Sequence, residues 1–433
     1  MSAGDAFLLP EADTRHLDTG VRVLTVPRTG TETVEVRVQI PCTPSDGQDA
    51  AVAELLAATL FTGTTRLGTR VVRWDTALRT GRLHAGRTAE WLILAGHCEA
   101  SELPRLLGLL GERLAHPTYD EAWVAREARR IAQATETLRG HPRLLALRAL
   151  NRIRRGDLSC FEEPPTDGAP ARLTAHEVTE AHRRILTPHR AEILLVGAVT
   201  PDTARDLVGH ALAAWQPPRP TATPAPDPSP PSDTPRTLIH RPASAQSTVA
   251  MSWSCLPFED PGYTAQAVAN AVFAGYFSSR LVTNIRERKG LTYHAASRFD
   301  RVLGTTSITL DVSCAPAATG QVVEEVLTDA RRMVTDPPTP QETAHAHTFL
   351  AGSLLMATAS PTDLTNLLAT LGCWGIGPDW IEAYPRRLSE TTADDVERAA
   401  ARVFDAPPEA AVVVGDLPAL TAPLARLGFT PHS

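Results

Sequence analysis

Two kinds of hydrophobic pattern recur along the chain. Between residues 22 and 40, apolar and polar positions alternate on either side of a turn at Gly30, with the period of two that indicates antiparallel β-strands. Residues 237–255 repeat this alternation. Residues 50–61 and 261–273 are instead long and mostly apolar, which favours helix. The pattern therefore predicts sheets with helices packed against them.

A proline-rich segment divides the chain nearly in half. Residues 217–235 hold nine prolines in nineteen positions, which excludes helix and central strand and predicts an extended linker. The two halves close alike, with an amphipathic helix and then an apolar strand, from Arg172 in one and Arg387 in the other. We therefore predict an α+β fold of two homologous domains, 1–216 and 236–433. Each is a mostly antiparallel sheet with helices packed on one face.

Composition excludes several classes of protein. A chain of 433 residues is too long for one hydrophobic core, and its 43% apolar and 21% charged residues are ordinary for a globular protein. The net charge of −7, without a long basic run, argues against a nucleic-acid partner. Six scattered cysteines form no zinc or redox motif. No apolar run approaches ~20 residues and no signal-peptide pattern opens the sequence, so we expect no membrane partner and a cytoplasmic location.

The segment ELLAATLFTGT, residues 54–64, carries a family resemblance. It resembles the helix and turn that bear the His-x-x-Glu-His zinc motif of the insulinase-like (pitrilysin) peptidases. The Leu-Phe-x-Gly-Thr turn that follows this motif in the family is present at residues 60–64. Aligned in this way, the two zinc-binding histidines fall on Glu54 and Ala58, and the general-base glutamate falls on Ala57. The resemblance implies a degenerate motif.

Loss of these side chains removes the chemistry of the motif. Histidines at i and i+4 share one helical face and can bind one ion, while the glutamate between them deprotonates the metal-bound water. Alanine can neither bind a metal nor accept a proton. The family's third ligand, a glutamate on a later helix, falls on Gln133 or Ala134. The resemblance therefore implies no metal and no other cofactor in this chain.

The second half carries the other functional signature of the family. Residues 278–293, SSRLVTNIRERKGLTY, resemble its C-terminal motif, in which an arginine and a tyrosine seven residues apart complete the active site; here they are Arg286 and Tyr293. We expect Ser278 to cap a helix, Gly290 to end it in a left-handed turn, and a strand to follow. A guanidinium and a phenol are suited to hold a peptide carbonyl and the oxyanion formed from it. His294 is expected to face the opposite side of the strand from Tyr293.

Together these features favour one function and leave two alternatives open. The resemblance implies the zinc-less, Arg/Tyr-bearing subunit of a heterodimeric zinc endopeptidase, similar to the alpha subunit of the mitochondrial processing peptidase. Zinc is then expected on a homologous partner with an intact His-x-x-Glu-His motif, and the substrate is a peptide or unfolded segment. One alternative is an inactive structural subunit. The other is a module that binds peptides and presents them to a separate enzyme.

Overall fold

The structure is a computed structural model that describes residues 11–64, 81–156, 169–216 and 236–431. The predicted linker at 217–235 lies outside these ranges, so its position stays a prediction. No helix in the described part of the chain is long and apolar enough to cross a membrane.

Strands and helices follow one another in the order that the alternating patterns predict. The strands are β1 Asp13–His16, β2 Arg22–Pro27, β3 Thr33–Pro41, β4 Arg82–Arg87, β5 Trp91–Glu99, β6 Glu192–Gly197, β7 Arg236–His240, β8 Ser247–Ser254, β9 Thr292–Val302, β10 Thr305–Cys314, β11 Ala410–Gly415 and β12 Thr430–Pro431. The longer helices are α1 Gly47–Thr59, α2 Leu103–Ala115, α3 Glu121–Arg139, α4 Pro142–Arg155, α5 Ala175–Ile185, α6 Pro201–Ala211, α7 Tyr263–Asn270, α8 Thr319–Thr335, α9 Pro340–Ala359, α10 Pro361–Cys373, α11 Asp379–Glu390, α12 Ala393–Phe404 and α13 Leu417–Ala425.

The strands form two six-stranded sheets of the same design. Their spatial orders are β1-β2-β6-β3-β5-β4 and β12-β7-β11-β8-β10-β9. In each sheet the strand that closes the sequence half, β6 or β11, pairs in parallel with an early strand, β2 or β7, and antiparallel with the next, β3 or β8. The predicted fold class of two mostly antiparallel sheets with packed helices is confirmed.

The first unit builds its core on one face of its sheet. Along β3 the apolar residues Val34, Val36, Val38 and Ile40 are all almost fully buried and join the core formed with α1, α2, α5 and α6. This is the face that the period-two pattern predicts, because successive strand side chains point to opposite sides.

The polar residues of β3 lie on the other face, which also carries a helix. α10 packs on β3 and β6. Thr362 of α10 donates a hydrogen bond to Glu35 at 2.7 Å, and Asn366 accepts one from Arg37 at 3.0 Å. Helices therefore cover both faces of this sheet.

The second unit receives a helix from the first half of the sequence. α4 packs on β8 and β11. Its residues Ala146, Leu150 and Ile153 form a small apolar cluster with strand residues such as Val412 and Val414. Beside this cluster, Arg154, whose side chain is only 5% exposed, binds Glu409 at 2.8 Å and Asp300 at 3.2 Å. Packing and ion pairs together hold α4 on this sheet.

Each compact unit thus includes one segment from the other half of the sequence: residues 137–156 belong to the second unit, and residues 355–382 belong to the first. The predicted domains at 1–216 and 236–433 each include one segment that belongs to the other unit. The reason is physical, because the sequence pattern shows that a helix has an apolar or polar face but not which sheet that face covers.

Candidate functional site

Helix α1 carries the degenerate motif and is capped by Asp46. The Asp46 side chain accepts a hydrogen bond from the Asp49 amide at 2.8 Å, which satisfies one of the free N–H groups of the first turn. After α1, Leu60 is fully buried, and the turn closes through the Thr118 amide, which donates to the Gly63 carbonyl at 3.2 Å. The Leu-Phe-x-Gly-Thr segment is therefore a largely buried turn that follows the motif helix.

At the first zinc-ligand position an ion pair is present. Nε of Arg87, on edge strand β4, lies 3.4 Å from Oε2 of Glu54. The Arg87 side chain is only 4% exposed, whereas that of Glu54 is 37% exposed. Ala57 is buried in the core, and Ala58 packs against it. The helix face that would bind zinc thus carries two methyl groups, of Ala57 and Ala58, and one carboxylate, of Glu54, which is paired with the Arg87 guanidinium.

The third position offers no ligand either. Gln133 and Ala134 are both exposed on α3. Nearby, Glu127 accepts from Nε of Arg130 at 2.6 Å, an exposed pair of the kind that ordinarily stabilises a helix surface. Across the described ranges, no three His, Cys, Asp or Glu side chains group so that they could hold a metal ion.

We expect the purified chain to hold no stoichiometric zinc, because Glu54, Ala58 and Gln133 do not supply the two histidines and one glutamate of a His-His-Glu zinc site, and Ala57 does not supply a general base. Elemental analysis after gel filtration measures this directly. A chelator should leave the melting temperature of the isolated chain unchanged. One tightly bound zinc per chain would contradict the prediction.

The Arg/Tyr motif begins on an irregular helix in the second unit. A short α-helical segment, Arg280–Val282, runs into a π-helical segment, Thr283–Arg288. The expectation that Ser278 caps a helix is wrong: the residue before the first turn is Ser279, which makes no side-chain capping bond. Gly290 has φ +60°, as a left-handed turn requires and as the sequence predicts.

Two side chains anchor this irregular helix to its neighbours. Arg280 binds Glu342 through two bonds of 2.7 Å, and these bonds lower the pKa of Glu342 to about 2. Asn284 donates to Glu325 and to Asp329, each at 2.8 Å. A π-helical segment is uncommon and is often found at functional sites. The anchors give Arg286 a defined position.

Arg286 lies against an aromatic ring. Its Cζ is 4.4 Å from the ring centroid of Phe277, which is 56% exposed, and its Nε is 3.5 Å from Oε1 of Glu287. Next to Phe277, the ring of Tyr276 stacks on Phe349 with 4.9 Å between centroids. The guanidinium of Arg286 is thus partly exposed and lies over the Phe277 ring. The residue before Phe277, Tyr276, is held by its stack on Phe349.

Tyr293 is the most exposed large side chain of its segment. It lies on β9, the edge strand of the second sheet, and is 94% exposed. The register between β9 and β10 shifts here: His294 pairs with Ser313 and Thr292 with Cys314, so Tyr293 has no partner. This extra residue is a β-bulge, a feature that redirects a side chain and is common near active sites.

His294, expected on the opposite side of the strand, binds a buried carboxylate. Its Nε2 lies 2.6 Å from Oδ2 of Asp311, which also accepts from Arg298 at 2.6 Å and Arg143 at 3.0 Å. Burial alone would raise the pKa of Asp311, but these hydrogen bonds and charges outweigh it and hold the pKa below its usual value. His294 therefore helps to fix the strand beside Tyr293.

The predicted site residues fall into two groups. Glu54, Ala57, Ala58 and Gln133 lie in the first unit, and Arg286 and Tyr293 lie in the second. Arg87 and Phe277 were not predicted as site residues. An arginine on a strand and an aromatic residue directly before the SSRL segment were visible in the sequence, but only the fold places them against Glu54 and Arg286.

Comparison with known proteins supports the family resemblance at a coarse level. Residues 172–349, which include Arg286 and Tyr293, match a family model described as the peptidase M16 inactive domain. This is the insulinase-like family, and the match fits a peptidase-like chain that does not catalyse alone. Among curated proteins, none matches the sequence significantly.

Several solved structures share the fold over nearly the whole chain. A peptidase M16 inactive domain from Pseudomonas fluorescens is 21% identical, with a TM-score of 0.83 over 94% of this chain and 98% of that one. A protease from Helicobacter pylori is 16% identical, with a TM-score of 0.83 over 94% and 100%. The periplasmic protease PqqL from Escherichia coli is 17% identical, with a TM-score of 0.75 over 96% of this chain and 47% of that one. These identities show the likeness of fold alone.

Proposed function

We propose that this chain is the metal-free subunit of a two-chain zinc endopeptidase. A homologous partner with an intact His-x-x-Glu-His motif binds the zinc and supplies the general base. This chain supplies Arg286 and Tyr293. The observation that carries the proposal is an exposed phenol and a partly exposed guanidinium on an anchored, irregular segment, in a chain whose own motif helix has lost its zinc ligands.

The chemistry of the pair fits the stabilisation of an oxyanion. Water attack on a peptide carbonyl places negative charge on its oxygen, and fixed donors aimed at that oxygen stabilise the transition state. Arg286 is a permanent cation with several N–H donors, and the Tyr293 hydroxyl is a neutral donor. Within the described ranges, the Tyr293 hydroxyl has no hydrogen-bond partner, so it is available to a substrate.

The Glu54–Arg87 ion pair supports the assignment of zinc to the partner. Arg87 carries a positive charge to the helix face where the metal would bind, and a neighbouring cation disfavours Zn²⁺. Binding of zinc would also have to break this pair. The first unit is therefore better suited to support assembly or to contact substrate than to catalyse hydrolysis.

The proposed substrate is an extended peptide or an unfolded segment. Peptides commonly bind by adding a strand to an exposed sheet edge, where main-chain hydrogen bonds give affinity without requiring one sequence. We place this pairing on the zinc-bearing domain of the partner, and Arg286 and Tyr293 then contact the scissile carbonyl. A cytoplasmic location is part of the same proposal.

The proposal is tested by reconstitution. A protein of similar length with His-x-x-Glu-His, encoded in the same genome, is purified separately and mixed with this chain. We expect a 1:1 complex by size-exclusion chromatography and peptide cleavage only by the mixture, abolished by a chelator. The proposal would be wrong if the zinc-bearing protein alone cleaved the peptide at full rate and adding this chain did not change that rate.

A further inference from the structure

We infer that Thr292 and Phe277 are positioning residues: Thr292 directs Tyr293, and Phe277 directs Arg286. The inference rests on the proposed function for its catalytic consequence, but its structural part can be tested on this chain alone. Each of the two motif side chains, Tyr293 and Arg286, has beside it one residue whose contacts fix its direction.

Thr292 holds the bulge at Tyr293. Its side chain is buried, and its hydroxyl accepts a hydrogen bond from the His294 amide at 3.0 Å. The same hydroxyl lies within donor reach of the carbonyl oxygens of His294 and Ser313. The hydroxyl therefore spans Tyr293, linking Thr292 to the backbone of His294, and it also reaches Ser313 on the neighbouring strand. These bonds replace those that the ladder loses where Tyr293 has no partner.

Without this hydroxyl the strand has a competing arrangement. A register change of one residue moves every following side chain to the other face of a sheet. Without the bulge, Tyr293 would pair with a residue of β10, and its side chain would follow the regular alternation of the strand. The buried Thr292 hydroxyl favours the bulged register, because a bulge that lacks it leaves the His294 amide without this acceptor.

Phe277 acts on Arg286 in a different way. A guanidinium over an aromatic face is held parallel or edge-on to the ring, which restricts the rotamers of a long side chain. Phe277 is more than half exposed, so burial is not the main reason for an aromatic residue here. The Tyr276–Phe349 stack fixes the residue before Phe277 and so limits the movement of its ring. Arg286 is thus directed by a ring that is itself held in place.

The structural test replaces Thr292 by valine, which keeps the shape and removes the hydroxyl. In Thr292→Val we expect hydrogen exchange of the His294 amide to quicken by about tenfold, the scale of one lost hydrogen bond. The chain has five tyrosines, which can be labelled as 3-fluorotyrosine. In Thr292→Val the ¹⁹F resonance of Tyr293 should shift, while the resonances of the other four tyrosines should not. Tyr293→Phe identifies that resonance. Thr292→Ser should restore both signals.

A matched control is available on the neighbouring strand. Thr306 of β10 is also buried, and in the part of the chain that the structure describes its hydroxyl has no partner. Thr306→Val should leave the His294 amide and the Tyr293 resonance unchanged. If Thr292→Val also left both unchanged, the bulge would not depend on the hydroxyl, and the role of Thr292 would be overturned.

Kinetics of the reconstituted pair separate positioning from catalysis. We expect Thr292→Val to lower kcat at least tenfold, since about 1 Å of misplacement is costly, and Phe277→Leu to lower it roughly fivefold. Thr292→Ser and Phe277→Tyr should recover the rate, and KM should stay near its original value. If Tyr293→Phe and Arg286→Ala were harmless, the proposed function would fail. If those two were damaging but Thr292→Val and Phe277→Leu kept full rate, the positioning roles would fail instead.

Discussion

Replacing Arg286 by alanine or Tyr293 by phenylalanine should lower kcat of the reconstituted peptidase by roughly 10²-fold, the scale for removing one oxyanion donor. The loss should appear in kcat with KM nearly unchanged, because the bond to the oxyanion forms only in the transition state. Steady-state kinetics with a peptide substrate measure both constants. Assembly should survive, since Tyr293 is exposed and Arg286 is partly exposed, with contacts to its near neighbours Phe277 and Glu287.

Matched controls lie in the same segment. Arg288, exposed in the same π-helical segment, and Tyr276, stacked on Phe349, carry the same chemistry at neighbouring positions. Arg288→Ala and Tyr276→Phe should keep kcat within about twofold of the original, since neither removes a donor from the proposed oxyanion site. These two controls show whether a loss of kcat depends on the position of the arginine and tyrosine or only on removing one charge or one hydroxyl from this segment.

The same experiment distinguishes the three functions. A structural subunit predicts full activity in Arg286→Ala and Tyr293→Phe at normal complex formation by size-exclusion chromatography. A presenting module predicts a raised KM with kcat intact, together with tight peptide binding by this chain alone. Only a catalytic contribution predicts a fall in kcat at constant KM, so a result of either other kind would remove the role assigned to this pair.

The sequence predicted those features that depend on neighbouring residues. The alternation in β3 follows from the pleat of one strand, and the left-handed turn at Gly290 follows from the freedom of one glycine. The order of elements that the two halves repeat was also predicted from the sequence. These local signals were enough to predict two similar sheets with packed helices.

Features that depend on distant pairing were not readable. The bulge at Tyr293 exists because β9 and β10 slip by one residue, which no pattern within β9 records. The packing of α4 on the second sheet and of α10 on the first depends on contacts between residues far apart in sequence. Examples are the ion pair of Arg154 with Asp300 and the hydrogen bond of Arg37 with Asn366. The π-helical segment likewise depends on anchors such as Asn284, whose partners lie on α8.

The consequence for the candidate site is specific. The family resemblance singled out Arg286 and Tyr293 as candidates, but their directions come from contacts across the second sheet and its helices. Regular alternation would have placed Tyr293 and His294 on opposite faces. In the bulge, both side chains are exposed, and His294 is tied to the buried Asp311. The sequence therefore suggests candidate groups, and the fold determines where they point.

The fold also makes a sharp prediction about the packing of α2 on α6. Replacing Gly111 by alanine should destabilise the protein by about 3 kcal/mol, the upper part of the usual range for overpacking. A Cβ at this position would lie only 1.9 Å from the backbone oxygen of Ala211, the last residue of α6, so the two helices would have to move apart. Urea unfolding followed by circular dichroism measures the loss.

Gly108, three residues earlier on α2, is the matched control. It is exposed, and a Cβ there would meet nothing within 4 Å. Gly108→Ala should therefore stabilise the protein by about 0.5–1 kcal/mol, because alanine loses less backbone entropy than glycine on entering a helix. The two substitutions add the same methyl group to the same helix and should act in opposite directions. Equal effects, or a neutral Gly111→Ala, would contradict the close approach of α2 and α6.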